Sequence, residues 1–162
     1  MEKTFVPIEY RESFKPLLMS FLIKCLPESG RTLDLAGRHK YYSDIEKNFK
    51  GFWCMFDDEG VIGTSAVSEL DEKSCELKSL FLLERYHGLG YGRLLLWQAI
   101  AFAAESGYER MYLESLSSST RALNLYKKAG FTDTQKYNTN EYTDVFMVLD
   151  LKSLPSEDAA SR

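Results

Sequence analysis

The chain has 162 residues, 44% hydrophobic and 27% charged, a composition that excludes a disordered segment or a fibre and fits one globular domain with one core. Twenty Lys and Arg against 24 Asp and Glu give a formal net charge of -4, which argues against nucleic acid as the main partner, because a phosphate backbone must be met by a surplus of cations. Three cysteines, Cys25, Cys54 and Cys75, stand too far apart for a C-x-x-C site and the only histidines are His39 and His87, so neither a metal nor a disulfide is expected and a reducing cytoplasm fits.

Phe5 to Ile8 reads as a short first strand. Phe14, Leu17, Leu18, Phe21, Leu22 and Cys25 then recur with helical spacing, with Ser13 as the expected cap and Pro16 in the first turn, where a missing N–H costs little. The apolar run Leu17 to Ile23 has no small-residue cleavage site behind it and is far shorter than the ~20 residues that cross a bilayer, so no membrane partner is expected. Residues 31–42 lack a period and carry Asp34, Arg38, His39, Tyr41 and Tyr42, either a solvated loop or a substrate-facing segment. Ser43-Asp44-Ile45-Glu46 has the pattern of a capping box and predicts a short helix from Asp44 to Phe49.

Phe52 to Phe56 and Val61 to Ser68 are β-prone and are separated by Asp57-Asp58-Glu59-Gly60, a turn of hairpin length. A third strand runs to Leu83, with Glu76, Lys78, Leu80 and Leu82 alternating against Leu77, Ser79, Phe81 and Leu83. A glycine-rich turn, Arg85 to Arg93, leads into a helix that is apolar nearly all round, and Arg110 to Ser115 is the next strand. Strand, helix, strand implies a right-handed crossover and a parallel pair, with ligands at the carboxyl ends of the strands. A helix from Arg121 to Ala129, a strand from Phe131 to Tyr137 and a last strand from Tyr142 to Leu151 complete the expected elements. Residues 1–152 read as a single domain and 153–162 as a mobile polar tail.

The stretch around which the rest is arranged is the turn His87-Gly88-Leu89-Gly90-Tyr91-Gly92. Alternate glycines leave the main chain uncovered, so successive N–H groups can converge on an anion where a helix begins and its dipole is positive. A dinucleotide turn of the G-x-G-x-x-G kind requires glycine where Arg93 stands, and a P-loop G-K-S/T is absent, so neither nucleotide reading fits well. A structural turn ahead of a helix is the alternative.

The turn resembles the Q/R-x-x-G-x-G/A pyrophosphate loop of GNAT-family N-acetyltransferases. Two frames fit, one starting at Arg85 and one at His87, and distance from the preceding strand favours the second. Downstream, Ala122-Leu123-Asn124-Leu125-Tyr126-Lys127-Lys128-Ala129-Gly130-Phe131 resembles the other signature of that family, roughly N-x-x-A-x-x-L-Y-x-K-x-G-F, with Ser119 in place of the Asn that commonly meets the pantetheine arm. The resemblance covers roughly residues 61–131. It implies an α/β GNAT fold, a mixed and mostly antiparallel sheet with a central parallel strand pair and helices on both faces. It also implies acetyl-CoA as cosubstrate, without a metal, held by Phe81, Leu82, His87, Gly88, Leu89, Gly90, Tyr91, Gly92 and Ser119.

Amine acetylation by direct attack makes three demands. The ammonium must first lose a proton, and Glu76, Glu114 or an ordered water chain are the candidates for taking it. The oxyanion needs a fixed donor, which the resemblance implies is the Leu82 N–H. The departing thiolate needs a proton, which it implies comes from Tyr126. The acceptor is expected to be a primary amine of a small molecule or amino acid. A protein or peptide amino terminus is the alternative within the class, and a CoA-binding module without turnover is the alternative outside it. The molecule is expected to be a monomer or a homodimer.

Overall fold

Segments rich in aromatic and branched residues pair into one sheet, and the runs with a helical stripe become helices. The computed structural model describes residues 5–154. The strands are β1 (Ile8–Glu9), β2 (Gly51–Phe56), β3 (Val61–Glu69), β4 (Ser74–Leu82), β5 (Arg110–Ser115), β6 (Thr132–Asp133) and β7 (Val145–Asp150), and the helices are α1 (Lys15–Glu28), α2 (Ile45–Asn48), α3 (Tyr91–Glu105) and α4 (Thr120–Ala129). The seven-stranded sheet has the order β1-β2-β3-β4-β5-β7-β6. Its parallel pair is β4 with β5, while β1–β2, β2–β3, β5–β7 and β6–β7 run antiparallel. This is the α/β architecture the sequence leads one to expect.

By contacts the chain divides into two compact units, one from the chain up to Ser68 with Lys78–Ala99, the other from Glu69–Leu77 with the chain from Ile100 onward. In the first, Leu18, Phe21, Leu22 and Leu26 of α1 are buried in a core with Tyr42, Ile45, Phe49 and Phe52. Each such side chain contributes about 1.5–3 kcal/mol relative to exposure. That stripe holds α1, because the cap does not: Phe14 stands at the N-cap without a side-chain bond, and the expected Ser13 lies in a 3-10 turn, Glu12–Phe14. Leu17, placed in the stripe by spacing, is 43% exposed. Gly63 allows close packing between β3 and α3, since a Cβ there would come within 2.8 Å of Leu95 Cδ1 and 3.1 Å of the Phe81 carbonyl.

Several boundaries differ from those expected. The first strand is Ile8–Glu9 rather than Phe5 to Ile8, because Phe5 instead stacks edge-on against Tyr86 and Tyr91, with centroids 5.7 and 5.3 Å apart. The cap of α2 is Asp44 rather than Ser43, its carboxylate accepting the Lys47 N–H at 3.2 Å. In the second unit β5 has the expected limits and pairs with β7 from Arg110↔Asp150 to Ser115↔Val145. The strand expected over Phe131 to Tyr137 is paired only at Thr132–Asp133, and β7 begins at Val145 rather than Tyr142. The segment between them is held by side chains. Leu151–Ser153 form a 3-10 turn whose Lys152 N–H is capped by the Asp150 carboxylate, and the rest of the expected tail, residues 155–162, lies outside the described residues.

Candidate active site

The first unit carries the glycine turn, and its position is set by the acid of the β2–β3 hairpin. The Asp57 carboxylate accepts the amides of Glu59 and Gly60 at 2.8 and 3.1 Å, closing the hairpin turn. It also accepts the Tyr86 hydroxyl at 2.6 Å and the Arg85 guanidinium at 3.1 Å, which ties down the chain leaving β4. Burial acts to raise the Asp57 pKa, but the Tyr86 and backbone hydrogen bonds and the Arg85 charge outweigh it and hold the carboxyl below its ordinary value. Glu84 N–H donates to Glu28 at the end of α1 at 2.9 Å, giving the link a second anchor.

Beyond that anchor the main chain opens. Gly88 and Gly90 adopt φ of 81° and 90°, a region other residues enter only at a cost. Among the described residues the amides of Gly88, Leu89, Gly90, Tyr91 and Gly92 make no hydrogen bond, and α3 begins at Tyr91. Orphan N–H groups at the positive end of a 15-residue helix are able to donate together to an anion. His87 does not join this run. Its N–H donates to Glu84 O at 3.0 Å and its Nε2 lies 2.9 Å from the Leu82 carbonyl, so the open run starts at Gly88.

The strand before the turn is not regular. Ser79 has φ of 54°, the one non-glycine residue with positive φ among those described, and it interrupts the alternation expected along β4. Two groups keep it there. Its hydroxyl is 2.6 Å from that of the fully buried Tyr42, and its carbonyl accepts the buried Thr64 hydroxyl at 2.6 Å. Burial pushes the Tyr42 phenol far above its ordinary range, so it stays protonated. Tyr42 belongs to the unperiodic segment 31–42, where His39 is also buried and accepts the Asp34 N–H on Nδ1 at 2.9 Å.

The second unit holds the expected catalytic side chains. Glu76 sits in the parallel ladder opposite Tyr112, 6% exposed, and accepts the hydroxyl of Tyr137. Burial, and next the Glu76 charge, push the Tyr137 pKa well above its ordinary value, so the phenol remains a donor. Glu114 on β5 is half-buried and accepts Asn138 Nδ2 at 2.6 Å, Asn140 Nδ2 at 2.8 Å and Thr143 Oγ1 at 3.3 Å. Both its oxygens are therefore covered by neutral donors. Tyr126 is on α4, 7% exposed, with its ring 5.8 Å from that of Phe131. Ser119 is the N-cap residue of α4, its carbonyl accepting the Leu123 N–H at 3.0 Å and its hydroxyl making no capping bond.

A family model described as the acetyltransferase (GNAT) family matches residues 14–131. The chain belongs to the GNAT acetyltransferase family. An uncharacterized N-acetyltransferase from Dictyostelium discoideum is 39% identical over 82 residues, 49% of this chain and 38% of that protein. The chain thus matches well under two thirds of that relative's length. An acetyltransferase from Streptococcus agalactiae shares the fold with a TM-score of 0.83 at 21% identity, over 92% of this chain and 99% of that one. A GNAT family acetyltransferase from Elizabethkingia anophelis with acetyl-CoA bound does so with a TM-score of 0.68 at 17% identity, over 92% and 99%.

Within this GNAT chain, sequence reasoning missed the residues that hold the expected ones. Tyr137, Asn138, Asn140 and Thr143 cover Glu76 and Glu114, and their only local signal is the turn-like Asn138-Thr139-Asn140. Tyr42 and Thr64 hold the Ser79 kink and have no local signal at all.

Proposed function

We propose that this GNAT chain is an N-acetyltransferase that moves acetyl from acetyl-CoA to a primary amine of a small molecule or amino acid by direct attack. The observation that carries the reading is the run of amides without acceptors from Gly88 to Gly92, in the frame of the family's pyrophosphate motif and at the start of α3. A neighbour of the same fold holds acetyl-CoA. In this reading Phe81, Leu82, His87, Tyr91 and Ser119 line the rest of the cosubstrate's path, and a reducing cytoplasm suits the three free, buried thiols.

The acceptor ammonium gives up a proton before it attacks. Glu76 is favoured over Glu114 as its recipient, because Glu114 already accepts three neutral donors that order the segment 138–143. The amine nitrogen then bonds to the thioester carbonyl carbon, the Leu82 N–H receives the oxyanion, and the C–S bond breaks as the thiolate takes a proton from Tyr126, whose phenol is restored by the second proton that the nitrogen sheds on becoming an amide. Amine and acetyl-CoA become amide and free CoA, with no acyl-enzyme. The three cysteines fit no nucleophilic role, since burial pushes each thiol up to about 12.

Free-thiol release from acetyl-CoA with pooled primary amines tests the reading. Amine-dependent release that falls roughly 10–100-fold in Tyr126→Phe, with the unfolding temperature unchanged, is expected. Acetyl-CoA binding without release with any amine, including peptide amino termini, points instead to a module that binds CoA without turnover.

A further inference from the structure

In a chain whose net charge is -4, the segment 31–42 and the kinked half of β4 concentrate cations. The guanidinium carbon of Arg31 lies 5.9 Å from the ring centroid of Phe81, and Lys78 Nζ lies 5.0 Å from that of Tyr41. Both distances are within cation–π reach, which places each positive head against a ring face. Tyr41 and Tyr42 have ring centroids 4.7 Å apart, and the His39 ring lies 6.1 Å from each. Burial, and next the charges of Arg38, Arg31 and Lys78 against that of Asp34, hold the His39 imidazole below its ordinary pKa. Among the described residues Arg31 makes no ion pair.

The group is ordered before any ligand arrives. Arg31 N–H donates to Leu26 O at 2.9 Å, His39 N–H to Asp34 O at 2.9 Å, and Asp34 N–H to the His39 ring at 2.9 Å. The Tyr42 hydroxyl, 2.6 Å from Ser79, fixes the segment to the strand beside Lys78. His39, with Nδ1 accepting a main-chain N–H, carries its proton on Nε2. Phe81, under the Arg31 head, adjoins Leu82 in the chain. Preorganised cations against aromatic rings suit a small planar anion, and guanidinium suits a carboxylate in particular.

We propose that Arg31 and Lys78 form the acceptor's anion site, and that the acceptor is an amine that also carries a carboxylate: an amino acid or a short peptide with a free carboxyl group. The reaction assigned to it rests on the acetyltransferase reading above, but the binding site is tested independently of turnover. The CoA-loaded protein is titrated with each proteinogenic amino acid and with its carboxamide, which keeps the amine and side chain and removes the negative charge. At least one acid is expected to bind about tenfold or more tightly than its amide, the scale of one charge-assisted contact. Arg31→Gln brings that ratio to near unity without altering CoA affinity, and Lys78→Met reduces it partway. Amides that bind as well as the acids, no binding by any acid, or a ratio unchanged in Arg31→Gln overturns the proposal. Thiol release on the same samples separates the two readings. Release with amines lacking a carboxylate, and none with acids, keeps the transferase and removes the anion site; acid binding without release keeps the site and removes the transfer.

Discussion

The glycine turn and the carboxylate region of β4 and β5 treat their polar groups in opposite ways. From Gly88 to Gly92 main-chain donors lie without acceptors on exposed or half-buried residues, whereas around Glu114 both carboxylate oxygens are covered by Asn138, Asn140 and Thr143. Water satisfies exposed amides at little cost, so an open run is sustainable and ready to exchange its waters for an anion. Covered oxygens instead order the chain that covers them, and removing the acceptor leaves donors stranded. Openness therefore marks binding and coverage marks scaffold. Glu76 is an intermediate case: it is buried and holds one residue of that segment, Tyr137.

The sharpest way to break this contrast is to neutralise the two glutamates separately. Glu76→Gln lowers kcat by about 10²–10⁴ with folding near that of the parent, while Glu114→Gln lowers it less than about tenfold, as read from steady-state thiol release. Equal losses remove the distinction. Next in size is Gly90→Val, which forces a branched side chain into φ of 90°. It is expected to weaken acetyl-CoA binding at least tenfold by calorimetry, with about 1–3 kcal/mol of backbone strain lost when the turn rearranges. Glu114→Ala is smaller, destabilising by about 1–2 kcal/mol in urea and speeding amide exchange at Asn140 and Tyr142, whose N–H groups are held by Asn138 and Asn140 side chains.

The smallest effect is alkaline. Burial raises Cys25, Cys54 and Cys75 from 9.0 to about 12, so above pH 9 the unfolded chain loses thiol protons that the folded chain keeps. The unfolded state then binds fewer protons, and stability falls as pH rises from about 9 towards 12. Tyr137 and Tyr42, also raised, add to the fall above about pH 10. Cys54→Ala is expected to reduce the loss between pH 8 and about 9.5 by under about 1 kcal/mol, measured by urea unfolding at both pH values.

What was legible in the sequence was whatever short-range pattern determines. The limits of β5 and the end of α4 at Gly130 follow from local spacing, and the hairpin of β2 and β3 from its turn. The site frame is legible in part, because glycine spacing reports main-chain exposure directly. The Ser79 kink is not legible, since serine has no intrinsic preference for positive φ and the conformation is imposed by Tyr42 and Thr64, distant in sequence. Nor is the shortness of β6. Thr134 and Tyr137 are β-prone, but Lys136 turns back to the Asn140 carbonyl at 2.7 Å and Tyr137 is drawn to Glu76. Tertiary hydrogen bonds decide both, and no local signal carries them.

The central claim is that the open amides from Gly88 to Gly92 hold the pyrophosphate of acetyl-CoA, and thermal unfolding with acetyl-CoA, CoA or NAD tests it most directly. Acetyl-CoA and CoA at a hundred times their dissociation constants should add about 2.7 kcal/mol, on the order of 5–10 °C for a domain of this size, and Gly90→Val should lose most of that shift. No shift with either, a shift of the same size with NAD, or an undiminished shift in Gly90→Val contradicts the account.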